Sequence, residues 1–128
     1  MVWMQVTRFE DLIAWQKARE LRKLVYGASA NQLFCKDFDM RKQIRSAALS
    51  VMSNIAEGFE RNRLPEFLYF LRVARASCGE VRSQLYAAFD EGYLTDRGLE
   101  PLLERTGEVG RIIRGLENSL QKKLGTRH

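Results

Sequence analysis

The sequence predicts an all-α protein, a single-domain antiparallel up-down-up-down four-helix bundle. Only two prolines and nine glycines punctuate its 128 residues. Between them, apolar residues recur three and four positions apart over long stretches, the period of a helix with one buried face, and no segment alternates like a strand. Apolar residues make up 45% and charged residues 29% of the chain, a balance that supports a folded core without stapling disulfides or metals.

The first helix is expected over residues 8–30. Thr7 and Glu10 have capping-box spacing, and Asp11 complements the positive end of the helix dipole. Ala14, Ala18, Leu21, Val25 and Ala28 form its inward stripe, flanked by Leu12, Trp15 and Leu24. Residues 31–37 break the pattern, and Asp37 or Asp39 can cap a second helix over 38–60. Its inward stripe reads Ile44, Ala47, Ala48, Val51, Met52, Ile55 and Phe59.

Pro65 suits the first turn of a third helix, 65–91, because the donor it lacks has no helical partner there, and Glu66 favours the same end. Phe67, Leu71, Ala74, Cys78, Val81, Leu85 and Ala88 then alternate at spacings of four and three, the seam of a packed bundle helix. Gly92 stops this helix, and Thr95 with Asp96 starts the fourth, 96–124, after a loop short enough to make the two antiparallel neighbours. The last stripe is Leu99, Leu102, Leu103, Thr106, Val109, Ile113, Leu116, Leu120 and Leu124, with Gly125 as its expected stop. Gly107, Gly110 and Gly115 weaken it, each by about 1 kcal/mol relative to alanine.

Several function classes fall away. No apolar run is long enough to span a bilayer, and residues 1–8 lack the apolar core of a secretion signal, so a cytoplasmic location without membrane partners is expected. Cys35 and Cys78 have no ligand spacing around them and read as free thiols. The single histidine is the last residue, His128, which removes the Glu-x-x-His pairs of di-metal bundles, zinc catalysis and histidine-based triads. Glycine-rich phosphate loops are absent. The expectation is therefore a non-enzyme with no metal and no cofactor.

The segment from Gln43 to Phe59 carries a polar stripe of Gln43, Ser46, Ser50, Asn54 and Glu57 beside its apolar one, and Arg72, Arg75, Ser77 and Glu80 supply complementary groups on the third helix. Ser50, Asn54, Glu57, Arg75, Ser77 and Glu80 are expected to form a structural polar network that fixes register, with Glu57 paired to an arginine such as Arg75. A polar recognition site for a ligand is the sharper alternative. Trp15, Tyr69 and Phe70 beside the seams, and Phe59 at the far end of the second stripe, are candidates for an interface between copies.

Three strings carry a resemblance: Asp11-Leu12-Ile13-Ala14-Trp15-Gln16-Lys17-Ala18-Arg19-Glu20-Leu21, Ser53-Asn54-Ile55-Ala56-Glu57-Gly58-Phe59, and Phe70-Leu71-Arg72-Val73-Ala74-Arg75-Ala76-Ser77. Together they resemble the bacterial four-helix-bundle family encoded in intervening sequences of 23S ribosomal RNA genes. The resemblance implies a four-helix bundle assembled as a ring-shaped homopentamer. It extends to the accessory variability proteins of diversity-generating retroelements, which bind nucleic acid and a reverse transcriptase. Ser46 and Ala76 depart from the family pattern, where an arginine and a glycine are usual.

The formal charge is +5, from 21 basic and 16 acidic residues, which favours a polyanionic partner. Arg41, Lys42, Arg45, Arg61, Arg63, Arg111 and Arg114 are the candidate nucleic-acid contacts. The expected function is a homo-oligomeric bundle that binds nucleic acid, structured RNA foremost, through these side chains. The alternative is a scaffold or adaptor for a protein, such as a reverse transcriptase.

Overall fold

A computed structural model describes residues 5–126, so residues 1–4 and 127–128, His128 among them, lie outside the described residues. Four α-helices follow one another: α1 (Ile13–Ala28), α2 (Phe38–Glu60), α3 (Leu64–Asp90) and α4 (Asp96–Thr126). α1 packs against α2 and α4, and α3 against the same two, so the helices close a four-sided bundle around one core. The α3 seam is buried throughout its predicted positions, and so are Ala14, Ala18, Leu21 and Val25 of α1. Met52, Phe59, Leu103, Leu116 and Leu124 are half-buried against the edges of that core.

The start of α1 differs from the expectation. Thr7 is exposed and caps nothing, and Phe9–Asp11 form a separate 3-10 turn. Leu12 stands at the N-cap in extended backbone without a side-chain cap, because that kink drops its side chain into the core. Phe9 packs edge-on against Trp15, with ring centroids 5.1 Å apart, so apolar contact replaces the capping box. α1 also ends at Ala28 rather than Ala30, where the buried Ser29 hydroxyl donates to the Val25 carbonyl at 2.8 Å.

At the start of α2 Asp37 does cap, accepting from the Met40 amide at 3.1 Å. Between α1 and α2, Phe34 in a short 3-10 turn plugs the end of the core, fully buried. Asn31 donates to the Ala28 carbonyl and to the Tyr93 carbonyl, and accepts from the Phe34 amide. Tyr93 packs its ring 5.3 Å from Phe34 and donates its hydroxyl to Asp37 at 2.9 Å, which holds the phenol's pKa above its usual value. The α1–α2 and α3–α4 connections are thereby tied together at one end of the bundle. At the other end α2 turns into α3 through Asn62 at φ 57°, a left-handed conformation that asparagine tolerates.

Gly92 adopts φ 80° and ends α3 as expected, and the Thr95 hydroxyl accepts from the Gly98 amide to cap α4. α4 runs unbroken through Pro101, Gly107, Gly110 and Gly115, and past Gly125 to Thr126. Gly125 therefore does not stop it. Leu120, fully buried, and Leu124, packed on the core edge, hold this last stretch to the bundle.

Candidate nucleic-acid interface

The polar network is built differently from its expected form. The Ser50 and Ser77 hydroxyls meet at 3.0 Å across α2 and α3, and Asn54 donates to both the carbonyl and the hydroxyl of Ser50. Glu57 does not reach Arg75. It lies an exposed helical turn from Arg61 and pairs with that side chain at 3.2 Å. Arg75 points to the opposite side of α3 and grips Glu117 of α4 through two contacts, 2.5 and 3.2 Å. Glu117 is nearly buried, and its carboxylate keeps the Arg75 guanidinium pKa above the ordinary value. Glu80 joins neither group but lines a cleft of about 490 Å³ between α2 and α3 with Asp39, Lys42, Gln43, Ser46 and Ser50.

The fold also sorts the candidate basic residues. Arg45 donates to the Ser29 hydroxyl at 2.8 Å and the Tyr26 carbonyl at 3.2 Å, and lies over the Tyr26 ring, so it caps the C-terminal end of α1. Arg41 donates to the Cys35 carbonyl and stacks on Phe38. Arg61 bridges Glu57 and Glu66, and Arg63 shares Glu66. Lys42 sits in the α2–α3 cleft beside Asp39 and Glu80.

Arg111 and Arg114 have other surroundings. With Arg75 and Arg82 they line a groove of about 330 Å³ between α3 and α4, bordered also by Cys78, Thr106 and three glycines, Gly79, Gly107 and Gly110. No carboxylate lines this groove. Among the described residues, Arg82, Arg111 and Arg114 make no ion pair. Arg111 lies along the helix where Gly107 leaves room, since a Cβ there would come within 3.2 Å of its Nη1. Its far side borders a smaller cleft with Glu104 and Glu108, where Glu108 is taken by Arg105 at 3.4 Å.

The groove follows from helical spacing. Arg75, Gly79 and Arg82 share one face of α3, and Gly107, Gly110, Arg111 and Arg114 share one face of α4. The Arg75–Glu117 pair and a 3.2 Å bond from Arg72 to Gln121 set the register that brings these faces together. Arg82 escapes a reading of the sequence because only that register reveals its neighbours.

The aromatic candidates divide as well. Trp15 and Phe59 pack against the core, Phe59 edge-on to Phe67 at 5.9 Å. Tyr69 is 60% exposed and stands edge-on to Phe70, which carries the Arg61 guanidinium on its face. Both cysteines are free, and burial pushes the Cys78 thiol up to about 12 against the lowering influence of Arg75. Among the described residues no helix is long and apolar enough to cross a membrane, and no three metal-ligating side chains cluster.

Comparison with curated proteins finds no match. A solved structure similar to this chain is that of a protein of unknown function from the S23 ribosomal protein family of Bacteroides thetaiotaomicron. It agrees with a TM-score of 0.75 at 21% identity, covering 82% of this chain and 98% of its own, and at that identity the likeness bears on the fold alone. Residues 10–115 match the family model described as the 23S rRNA-intervening sequence protein, and the chain belongs to that family.

Proposed function

We propose that this chain is a non-enzymatic bundle that binds nucleic acid, structured RNA foremost, through arginine contacts to phosphate, and that it works in the cytoplasm as a ring of five copies. The observation that carries this reading is the α3–α4 groove, where Arg82, Arg111 and Arg114 gather beside the Glu117-bound Arg75 without a lining carboxylate, while the bundle engages Arg41, Arg45, Arg61 and Arg63 elsewhere. Guanidinium groups match phosphate oxygens in geometry and charge, and a +5 chain draws polyanions toward it. Exposed Ile13 and Tyr69 offer apolar surface for contacts between copies.

Binding of this kind loses affinity steeply with salt and discriminates little between sequences. Gel-shift titration of the purified protein against a structured RNA at low ionic strength tests it, with mass measurement in solution reporting the assembly. Absence of any shift, with RNA or DNA, discards the reading. A protein adaptor is the second possibility, favoured by Leu33 and Phe38, which stand 60% and 67% exposed near one end of the bundle. A stoichiometric protein partner whose association survives nuclease supports that alternative.

A further inference from the structure

We infer that the α3–α4 groove receives the sugar-phosphate backbone of one nucleic-acid strand, with Arg82, Arg111 and Arg114 on its phosphates and Gly79 and Gly110 as the floor it rests on. The inference depends on the nucleic-acid reading above and adds where and how the strand sits. Arg82, Arg111 and Arg114 make no ion pair among the described residues, and all three line this one groove. Together with Arg75 they extend along the groove, since Arg75 and Arg82 are two helical turns apart, about 10 Å along the axis. That span exceeds a single phosphate and suits a chain of them. No leucine, isoleucine, valine or aromatic side chain lines the groove to receive the apolar anchors by which a peptide is usually held.

The glycines add a second argument. Glycine weakens a helix relative to alanine, yet a Cβ at Gly79 or at Gly110 would meet nothing within 4 Å. Neither is required by packing inside this chain. Without side chains there, a strand approaches the two helix backbones closely, and the guanidinium groups on either side reach its phosphate oxygens at hydrogen-bond distance.

The test uses the full chain, a fluorescein-labelled oligouridylate, and anisotropy titrations across a salt series. Arg82→Gln, Arg111→Gln and Arg114→Gln each weaken binding several-fold at low salt and reduce the salt slope by about 0.7 per lost phosphate contact on a single strand. Arg97→Gln, outside the groove, leaves both unchanged. Gly79→Ala and Gly110→Ala raise the melting temperature while weakening binding, a combination that a purely structural role for these glycines does not give. If the wild type binds and the groove variants bind as it does, with the same slope, the groove assignment is overturned and nucleic-acid binding stands. If the wild type does not bind the oligouridylate at low salt, the single-strand assignment is overturned, and the gel shift with structured RNA and DNA decides the underlying reading separately. Alanine variants that lower the melting temperature, or that change the assembly mass but not the affinity, also overturn the assignment.

Discussion

Replacing Gly58 by alanine sets two opposing effects against each other at one atom. Gly58 is buried in the last turns of α2, and a Cβ there would lie 2.6 Å from Phe70 Cβ, 3.1 Å from Phe67 Cδ1 and 3.4 Å from Phe67 Cα. Carbon atoms in contact prefer about 3.5–4.0 Å, so the first of these approaches is short by about 1 Å. Phe70 Cβ cannot rotate away, because it is fixed to the α3 backbone. α2 and α3 must part locally, an overpacking cost of about 3 kcal/mol at the upper end of its usual range. Alanine returns about 1 kcal/mol of helix propensity, which leaves a net loss of about 2 kcal/mol. For a chain of this size that lowers the melting temperature by roughly 6–10 °C. Thermal and urea unfolding followed by circular dichroism measure it, with Gly115→Ala as the reference because nothing lies within 4 Å of its Cβ position. That variant should gain stability. A Gly58→Ala protein as stable as the wild type, or one gaining as Gly115→Ala does, would refute the close approach of α2 and α3.

Other perturbations have expected outcomes of the same kind. Arg75→Ala strands the Glu117 carboxylate, whose side chain is 7% exposed; because the Arg75 side chain is itself 37% exposed, solvent screens the pair, and the expected loss is about 1–3 kcal/mol rather than the larger cost of breaking a fully buried pair. Urea unfolding that detects less than about 0.5 kcal/mol contradicts the role given to this pair. Thiol reagents at neutral pH should modify Cys35 well before Cys78, whose pKa is held up at about 12 by burial; equal rates would show that the groove side of the core is open. In the unfolded chain the Cys78 thiol returns to 9.0, so the folded state keeps its proton longer, and stability is full below about 9 and falls as pH climbs toward about 12. Tyr93, raised by its bond to Asp37, acts with the same sign. Cys78→Ala should flatten part of that alkaline decline, and a wild-type stability that rises through this window would reverse the argument.

Much of this architecture is legible in the sequence because helix seams follow a strict period. The stripe from Phe67 to Ala88 is buried at every position its spacing assigns. Asp37, Pro65, Gly92 and Thr95 mark helix boundaries through backbone chemistry that depends on nearest neighbours alone. What escapes depends on contacts distant in sequence. Phe34 is fully buried inside a segment with no helical period to announce it. Glu117 falls on the inward stripe between Ile113 and Leu120, where its charge disguises a position that periodicity assigns to the core. Sequence spacing instead pairs Arg75, its true partner, with Glu57, the carboxylate of the neighbouring polar stripe. The arginine groove is hidden for the same reason. Each half shows as arginines and glycines on one helix face, but only the relative axial position of α3 and α4 brings the halves together.

The bonds through Asn31, Asp37 and Tyr93 make one cooperative unit of two helical hairpins. Tyr93 and Asp37 are 56 positions apart, yet neither connection can unfasten without releasing groups that hold the other. Amide protons around Phe34 and around Gly92 should therefore share a single opening free energy in hydrogen exchange, as members of one foldon.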